Sequence, residues 1–536
     1  MKNRNVIRFA FTVGGFTLMS RILGLAREVL MAKVFGTTLA MSAFVVAFRI
    51  PNLFRALFGE GALSAALVPV YQETRRKEGE SEGWRLVRRV TTLVGAFLLA
   101  VTGLGILGMS VALAHPAWLS EKWAAVLPLA RVMLPYVFFI CMAALGMAAL
   151  NAHRKFSVAA FTPALLNITM ILSLLFVVPL ARGGGKMAVV AWTVFAAGAV
   201  QLAYQMPALW KEGWRPGTDW NWRDERVKRV FLLMGPGALG MAVNQVNVML
   251  SSVLALHAGS WAPSALYYAE RMIYLPQGIL AVSLGTVLLS VLSDYAAQGR
   301  WDEVRASVHH GLRTLLFVMT PAALGLCALA EPLVRMLLER GQFDAESTAM
   351  TARALRFYAP GLVVFCLAKV FVPAFYAQQD TKTPVKIGMV SVGLCCLMNV
   401  ASVLFLPTYW KHAGLALSTV LAECFTGTML AVCLRRRLGS LGVKEVLAGF
   451  ARALGAAAAM AAVAWAVERG ATGWLCLHAL WLPTEGAQIA GCGVAMAVGA
   501  AVYFGIAKVL RYPELGFVTE ALASRKKKKS AREAAE

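Results

Sequence analysis

The stretch VTTLVGAFLLAVTGLGILGMSVAL, Val90 to Leu113, carries no charged side chain and exceeds the about 20 residues a helix needs to cross a bilayer core. Val158 to Leu180 and Met187 to Leu209 repeat the pattern, both also without a charge. The whole chain follows suit: of 536 residues, 59% are hydrophobic and 15% charged, against about a quarter charged in soluble domains. Disorder is excluded, and a water-soluble enzyme is disfavoured. The reading is an all-α polytopic membrane protein.

A window of about 19 residues places apolar helices near residues 6 to 32, 39 to 59, 88 to 113, 126 to 150, 158 to 180, 187 to 209, 230 to 256 and 266 to 293. Six more lie near 312 to 331, 352 to 377, 386 to 406, 413 to 434, 446 to 467 and 487 to 510. These are about 14 transmembrane helices. Alternate connections differ in basic residues: Arg75, Arg76, Lys77, Arg85, Arg88 and Arg89 fill one, and Lys211, Arg215, Arg223, Arg226, Lys228 and Arg229 another, whereas the intervening ones hold few. The positive-inside rule then puts both termini in the cytoplasm. It also accounts for the net charge of +24 without nucleic acid, because no basic face with interleaved aromatics lies outside the spans. The tail Arg525 to Lys529 reads as a solvated or headgroup-facing charge run, and Trp210, Trp214, Trp220 and Trp222 read as interfacial anchors. The nine cysteines sit in apolar runs without metal-ligand spacing and read as small core residues.

The two halves echo one another. Ser42-Ala43, Ala47, Arg49 and Leu53 recur at a spacing of 222 residues as Ser264-Ala265, Ala269, Arg271 and Leu275. Pro135 and Cys141 pair similarly with Pro360 and Cys366. Two repeats of six helices keep one orientation and predict two lobes related by a pseudo-two-fold axis along the membrane normal, around a central site. The expected segments are an N-lobe over 1–229, a C-lobe over 230–440, two additional C-terminal helices over 441–512 forming a lipid-facing groove, and a basic cytoplasmic tail over 513–536.

Charges at bilayer depth are costly and persist where they face a polar cavity or a partner. Here they are mainly cationic: Arg21 and Arg27 in the first span, Arg49 and Arg55 in the second, Arg271 in the eighth, against Glu28, Glu60, Glu270 and Glu423. A cavity with surplus arginine attracts an anion, and the guanidinium fork suits phosphate oxygens. Arg21 and Glu28 share one helix face, and Arg27 shares another with Ser20 and Gly24. Pro51, between Arg49 and Arg55, is expected to kink its span. The bland alternative is that the arginines pair with the glutamates or snorkel, and it applies most to Arg49. Asn244 and Asn399 are candidate cation ligands, although hard cations favour carboxylates and neither has one within a turn on its own helix; bonding across helices is the structural alternative. No phosphate-binding GxxxxGK[ST] loop, HExxH or aspartate-rich motif occurs, so no cofactor or resident metal is expected. Energy would come from an ion gradient (Na+ or H+), the membrane potential or substrate flux.

The residues around these arginines carry a resemblance. Ser20-Arg-Ile-Leu-Gly-Leu-Ala-Arg-Glu28, Ala47-Phe-Arg-Ile-Pro-Asn-Leu-Phe-Arg55, Glu60-Gly-Ala, Val68-Pro69, Tyr267-Tyr-Ala-Glu-Arg271 before Leu275-Pro276, Gly285-Thr286, and Tyr376 with Gln379-Asp-Thr-Lys-Thr-Pro384 are similar to the MurJ (MviN) lipid II flippases of the multidrug/oligosaccharidyl-lipid/polysaccharide exporter superfamily. The likeness covers the first twelve spans. It implies two six-helix lobes plus two helices, a V-shaped cationic cavity in the bacterial inner membrane, alternating access, and lipid II, undecaprenyl diphosphate bearing the disaccharide-pentapeptide, as the substrate carried to the periplasmic leaflet for peptidoglycan synthesis. It assigns Arg21, Arg27, Arg55 and Arg271 to the diphosphate and nearby anionic groups. Glu28, Glu60, Glu270 and Arg49 become organising or gating residues. Ser42 stands where the family often has an aspartate, which separates this chain from any gating pair or ion coupling that uses that carboxylate.

Three readings stay open: a lipid II flippase, a flippase for another prenyl-diphosphate glycan, and a non-transporting scaffold for cell-wall enzymes. A cation-drug exporter is disfavoured by the sign of the embedded charge. A membrane enzyme would change the substrate's mass rather than its leaflet. Expected partners are lipid II, bilayer lipids, and cell-wall synthesis and division proteins.

Overall fold

In the computed structural model, residues 3–59, 62–278, 282–478 and 484–516 are described. The apolar runs fold as helices that extend into their charged flanks, because backbone groups in hydrocarbon must be satisfied within the segment. The order begins α1 (Asn3–Phe35), α2 (Leu39–Gly59), α3 (Ala62–Glu78), α4 (Glu80–Ala114), α5 (Glu121–Met133), α6 (Tyr136–Ala152), α7 (Phe156–Leu172), α8 (Lys186–Lys211) and α9 (Glu225–Ala258). It continues with α10 (Ala262–Pro276), α11 (Val282–Ala297), α12 (Trp301–Ala328), α13 (Ala330–Leu338), α14 (Ala345–Tyr358), α15 (Gly361–Ala377), α16 (Lys382–Phe405), α17 (Thr408–Leu438), α18 (Val443–His478) and α19 (Thr484–Val509). No strand occurs among the described residues. After α7 the backbone passes through a π turn at Ser173–Val177 and a 3-10 turn at Val178–Leu180, where Pro179 removes a helical donor.

Among the described residues, ten helices are long and apolar enough to span a membrane, or twelve if each bent pair is one span. About 14 were expected from sequence. The first expected span, 6 to 32, folds as the single helix α1, with Arg21, Arg27, Glu28 and Lys33 toward its C-terminal end. The run 266 to 293 holds α10 and α11, with residues 279–281 between them outside the described residues. Pro51 lies inside α2, which continues through it. The connection after α2 is itself helical: α3 ends on Arg75, Arg76 and Lys77, cations placed where the helix dipole favours them.

The prolines of the second sequence echo mark matching bends. Pro135 precedes α6, and α5 meets α6 at 41°; Pro360 precedes α15, and α14 meets α15 at 44°. Cys141 and Cys366, six residues beyond each proline, are both buried. The serines of the first echo meet directly, Ser42 Oγ donating to Ser264 Oγ over 3.0 Å.

The chain divides into two compact units, Met1–Ser264 with Arg340–Phe343, and Ala265–Glu339 with Asp344–Glu536. In the first, α1 packs on α7, α6 on α8, and α2 on α5, α6 and α9; Tyr71, Trp84, Leu150 and Leu209 form one of its buried clusters. In the second, α12 packs on α15 and α18, α16 on α17, and α18 on α19, around Phe317, Met460, Tyr503 and Tyr512. The sequence boundary after Arg229 falls inside α9, which packs on α2 and α3. Ion pairs reinforce that packing: Arg226 Nη1 reaches Glu78 over 2.5 Å, and Arg229 Nη1 reaches Glu73 over 2.7 Å.

Asp224 is the hub of that junction. It caps α9 by accepting from Arg226 N over 2.8 Å, pairs with Arg226 Nη2 over 2.9 Å, and pairs with Arg89. Burial raises its pKa, but the hydrogen bonds from Arg226 and Arg89 outweigh it and hold the carboxyl at about 2. A depressed pKa stabilises above the unfolded value, about 3.9, and the contribution is lost as pH falls toward the folded one. Asp224→Asn is expected to destabilise by about 1 kcal/mol at neutral pH after solvent screening, with the gap to wild type closing below about pH 4. Thermal melts of the purified protein between pH 7 and 3 test this, and a gap that is constant with pH refutes it.

Candidate functional site

The residues expected to form the site distribute over both units, and each unit presents its own cationic surface. In the first, α1 is held against α7 by Asn167, whose Nδ2 donates to Ser20 O over 3.0 Å, with Gly24 beside the same amide. This fixes the rotation of α1 and turns Arg27 toward the interior. Arg27 pairs with Glu28 and donates from Nη1 to Met170 Sδ over 3.9 Å. Glu28 is 4% exposed. A buried carboxylate of this kind persists because it is paired, so the pair holds Arg27 in place.

Arg55 reaches the same region from α2. Its Nε donates to Asn52 Oδ1 over 3.0 Å, one turn back, which orients the guanidinium. The preceding residue, Phe54, is tied to α6 through Cys141 Sγ, 3.7 Å from its carbonyl. Arg27 and Arg55 both lie within Coulombic reach of Tyr136, a fully buried side chain on α6. Two arginines remote in sequence thus act electrostatically on one buried tyrosine. Arg49 has a different environment: its Nε donates to Ser252 Oγ on α9 over 3.1 Å, and Ser252 in turn donates to Val248 O. Arg21 is exposed on α1. Glu28 pairs with the adjacent Arg27, not through the face it shares with Arg21.

In the second unit, Arg271 on α10 lies over the rings of Tyr267 and Tyr274, 4.5 and 5.6 Å from their centroids. Cation–π contacts of this kind hold a guanidinium in place. Glu270 accepts from Tyr274 Oη, so this tyrosine braces both neighbours. Lys369 on α15 was not singled out from sequence, although a lone lysine inside an apolar helix is a signal of the same kind. It lies within Coulombic reach of Glu423 on α17. Gly285 brings α11 against this part of α15: a Cβ there would fall 2.9 Å from Lys369 O.

Ser42 is fully buried and bonded to Ser264, so the position holds a neutral pair. Asn244 is exposed on α9; Asn399 is buried on α16 with Nδ2 3.7 Å from Cys395 Sγ. Among the described residues no group of three or more His, Cys, Asp or Glu side chains is placed to hold a metal ion. Glu60 lies outside the described residues, as does the basic run Arg525 to Lys529. The motif Gln379 to Pro384 proves to be a helix cap: Asp380 accepts from Lys382 N, Thr383 N and Thr383 Oγ1, and pairs with Arg437 over 2.6 Å. The tryptophan group is mostly surface, with Trp210, Trp220 and Trp222 exposed and Trp214 packed on the cluster of Tyr71 and Trp84.

The second unit also contains an apolar cavity of about 740 Å³ between α12, α18 and α19. The last two, α18 and α19, lie in the segment 441–512 expected to form a lipid-facing groove.

Comparison with known proteins gives a consistent result. A family model described as lipid II flippase MurJ matches residues 31–483. The lipid II flippase MurJ of Burkholderia cenocepacia is 35% identical over 524 residues, 95% of this chain and 98% of the relative. A probable lipid II flippase MurJ of Rhizobium meliloti is 34% identical over 520 residues, 94% of each chain. Among solved structures, a lipid II flippase MurJ in an inward closed conformation has a TM-score of 0.75 at 23% identity, covering 95% of this chain and 99% of that one. An inward-facing MATE family multidrug resistance transporter of the MOP superfamily has a TM-score of 0.65 at 15% identity, covering 81% and 99%. At these identities the two structures speak to the fold alone.

Proposed function

The chain belongs to the lipid II flippase MurJ family, and we propose that it moves lipid II, unchanged, from the cytoplasmic to the periplasmic leaflet of the bacterial inner membrane for peptidoglycan synthesis. The observation that carries the reading to this chain's own residues is that Arg27 and Arg55 both act electrostatically on the buried Tyr136. Two guanidinium groups in one electrostatic neighbourhood supply charge-assisted hydrogen bonds to a diphosphate. Arg21, exposed on α1, is a further anion ligand of the first unit, and Arg271, held on tyrosine rings, is one of the second. Glu28 and Glu270 act as organisers of neighbouring groups, and Arg49 as a brace on α9. The prenyl chain runs along the apolar groove of α12, α18 and α19. The basic connections support cytoplasmic termini.

Transport proceeds by alternating access, with the substrate's charged head crossing on the protein's cations and its tail remaining in hydrocarbon. The coupling is to Na+, H+ or the membrane potential, with Asn244 and Asn399 the candidate cation ligands and Ser42 a position that contributes no charge.

Depletion of the protein in its own cells, followed by measurement of the lipid II accessible at the periplasmic face, tests the function. Intact lipid II is expected to accumulate on the cytoplasmic side and to be released by re-expression. Unchanged periplasmic access in cells lacking another flippase overturns the assignment and favours a different prenyl-diphosphate glycan or a scaffold.

A further inference from the structure

The groove beside α12 is apolar along its length and polar at one end. Phe317, Pro321 and Leu326 line it from α12, with Met460 and Tyr503 opposite. His310 and Thr314, one turn apart on α12, line it at the end toward Trp301. Thr314 Oγ1 is buried there without a hydrogen-bond partner among the described residues. From Thr314 to Leu326 the helix rises about 18 Å, close to the depth of one hydrocarbon leaflet.

Arg313 stands beside this polar end. Its Nε and Nη2 lie 2.8 and 2.6 Å from Glu514 Oε1, the two-nitrogen grip a guanidinium also uses on phosphate. Glu514, just beyond α19, is 5% exposed. Gly449 of α18 backs the pair, its Cβ direction 3.6 Å from Glu514 Oε1. His310 lies within Coulombic reach of both partners. One leaflet's length of apolar groove therefore ends at an imidazole and an unsatisfied hydroxyl, and the neighbouring Arg313, whose charge acts on that imidazole, carries an internal carboxylate.

We propose that this end of the groove is a binding site for the phosphate of a long-chain lipid, and that Glu514 occupies the anion position on Arg313 when no lipid is bound. The site is separate from Arg27 and Arg55, so it adds to the transport reading, resting on it only for the presence of a lipid in the groove. Lipid phosphate and the Glu514 carboxylate compete for one guanidinium, and Thr314 and His310 supply the remaining polar contacts.

The test is lipid binding by the full-length purified protein, counted by native mass spectrometry, in an Arg55→Ala background that silences the arginine cluster. Undecaprenyl phosphate and a 16:0–18:1 phosphatidylglycerol are the phosphate probes, with undecaprenol as the uncharged control. Glu514→Gln removes the competitor and is expected to tighten binding of the phosphate probes about tenfold, leaving undecaprenol unchanged. Arg313→Gln is expected to weaken phosphate binding about tenfold or more, and Arg313→Lys to retain most of it. A stronger response from undecaprenyl phosphate identifies the prenyl carrier as the ligand, and an equal response identifies lipid phosphate in general; both support the site. Phosphate binding that is unchanged or weakened in Glu514→Gln, or an equal loss of undecaprenol in Arg313→Gln, overturns the proposal and makes the pair a structural clamp. Transport lost in Arg55→Ala while its groove still binds phosphate lipid separates the two readings.

Discussion

Arg55→Ala is expected to lower lipid II translocation about 10- to 100-fold while the protein still inserts and folds. The magnitude follows from one charge-assisted contact to phosphate, about 1.5–3 kcal/mol. The fold is expected to persist because Arg55 is half-buried and donates to Asn52 on its own helix, which can turn to water or to the backbone. Arg27→Ala has a second consequence. Glu28 is 4% exposed and paired with Arg27, so the truncation removes an adjacent cation from a buried carboxylate, a loss of about 3–5 kcal/mol where such pairs have been broken elsewhere. The double change Arg27→Ala with Glu28→Gln is expected to restore the yield of folded protein without restoring transport. Arg49→Ala, by contrast, removes a hydrogen bond to Ser252 and is expected to lower stability by about 1 kcal/mol with transport retained. Periplasmic access of lipid II, measured with inserted protein quantified in the same membranes, checks all four variants. Equal transport by wild type and Arg55→Ala refutes the phosphate role. Recovery of transport in the double variant reduces Arg27 to a partner of Glu28.

That distinction between arginines marks the limit of what the sequence carries. The helical class and most spans are legible because hydrocarbon imposes long uncharged runs, as in Val90 to Leu113. The matching bends are legible in Pro135 and Pro360, since proline cannot continue the backbone ladder, and Arg271 is legible as the echo of Arg49. Their environments are not. Arg49 bonds a serine that lies 203 positions away, whereas Arg271 lies on rings of its own helix. The Arg27–Glu28 pair is also hidden, because adjacent helical residues do not ordinarily face one another, and the contact of Arg27 with Met170 on α7 joins residues 143 positions apart. The start of α9 was misplaced for a related reason. Its ties to Glu73, Glu78 and Arg89 connect residues more than a hundred positions apart, and no local pattern reports them.

The second large effect is expected at two glycines that no motif distinguished. Arg340–Phe343 follows α13 in the chain, yet it belongs to the first compact unit while its flanks belong to the second. What holds it there is a backbone-to-backbone approach to the end of α1: Gln342 N donates to Lys33 O over 2.9 Å, and Phe343 is buried at 1% exposure. The approach needs glycine on both sides. Gly36 has φ +54°, and a Cβ would fall 2.2 Å from Gln342 O; Gly341 has φ +63°, and a Cβ would fall 2.4 Å from Lys33 O. The left-handed backbone alone costs an L-residue about 1–2 kcal/mol. The overlap adds to this, because the opposing atoms are main chain and no rotamer change relieves it. Gly36→Ala or Gly341→Ala is therefore expected to detach the segment, losing the Gln342 hydrogen bond and the burial of Phe343, together about 3 kcal/mol. Hydrogen–deuterium exchange reads this directly: the Gln342 amide, protected in wild type, is expected to exchange about 100-fold faster in either variant, with helix amides of α17 unchanged. Exchange at Gln342 as slow as in wild type shows that the clasp tolerates a methyl group and is looser than its geometry.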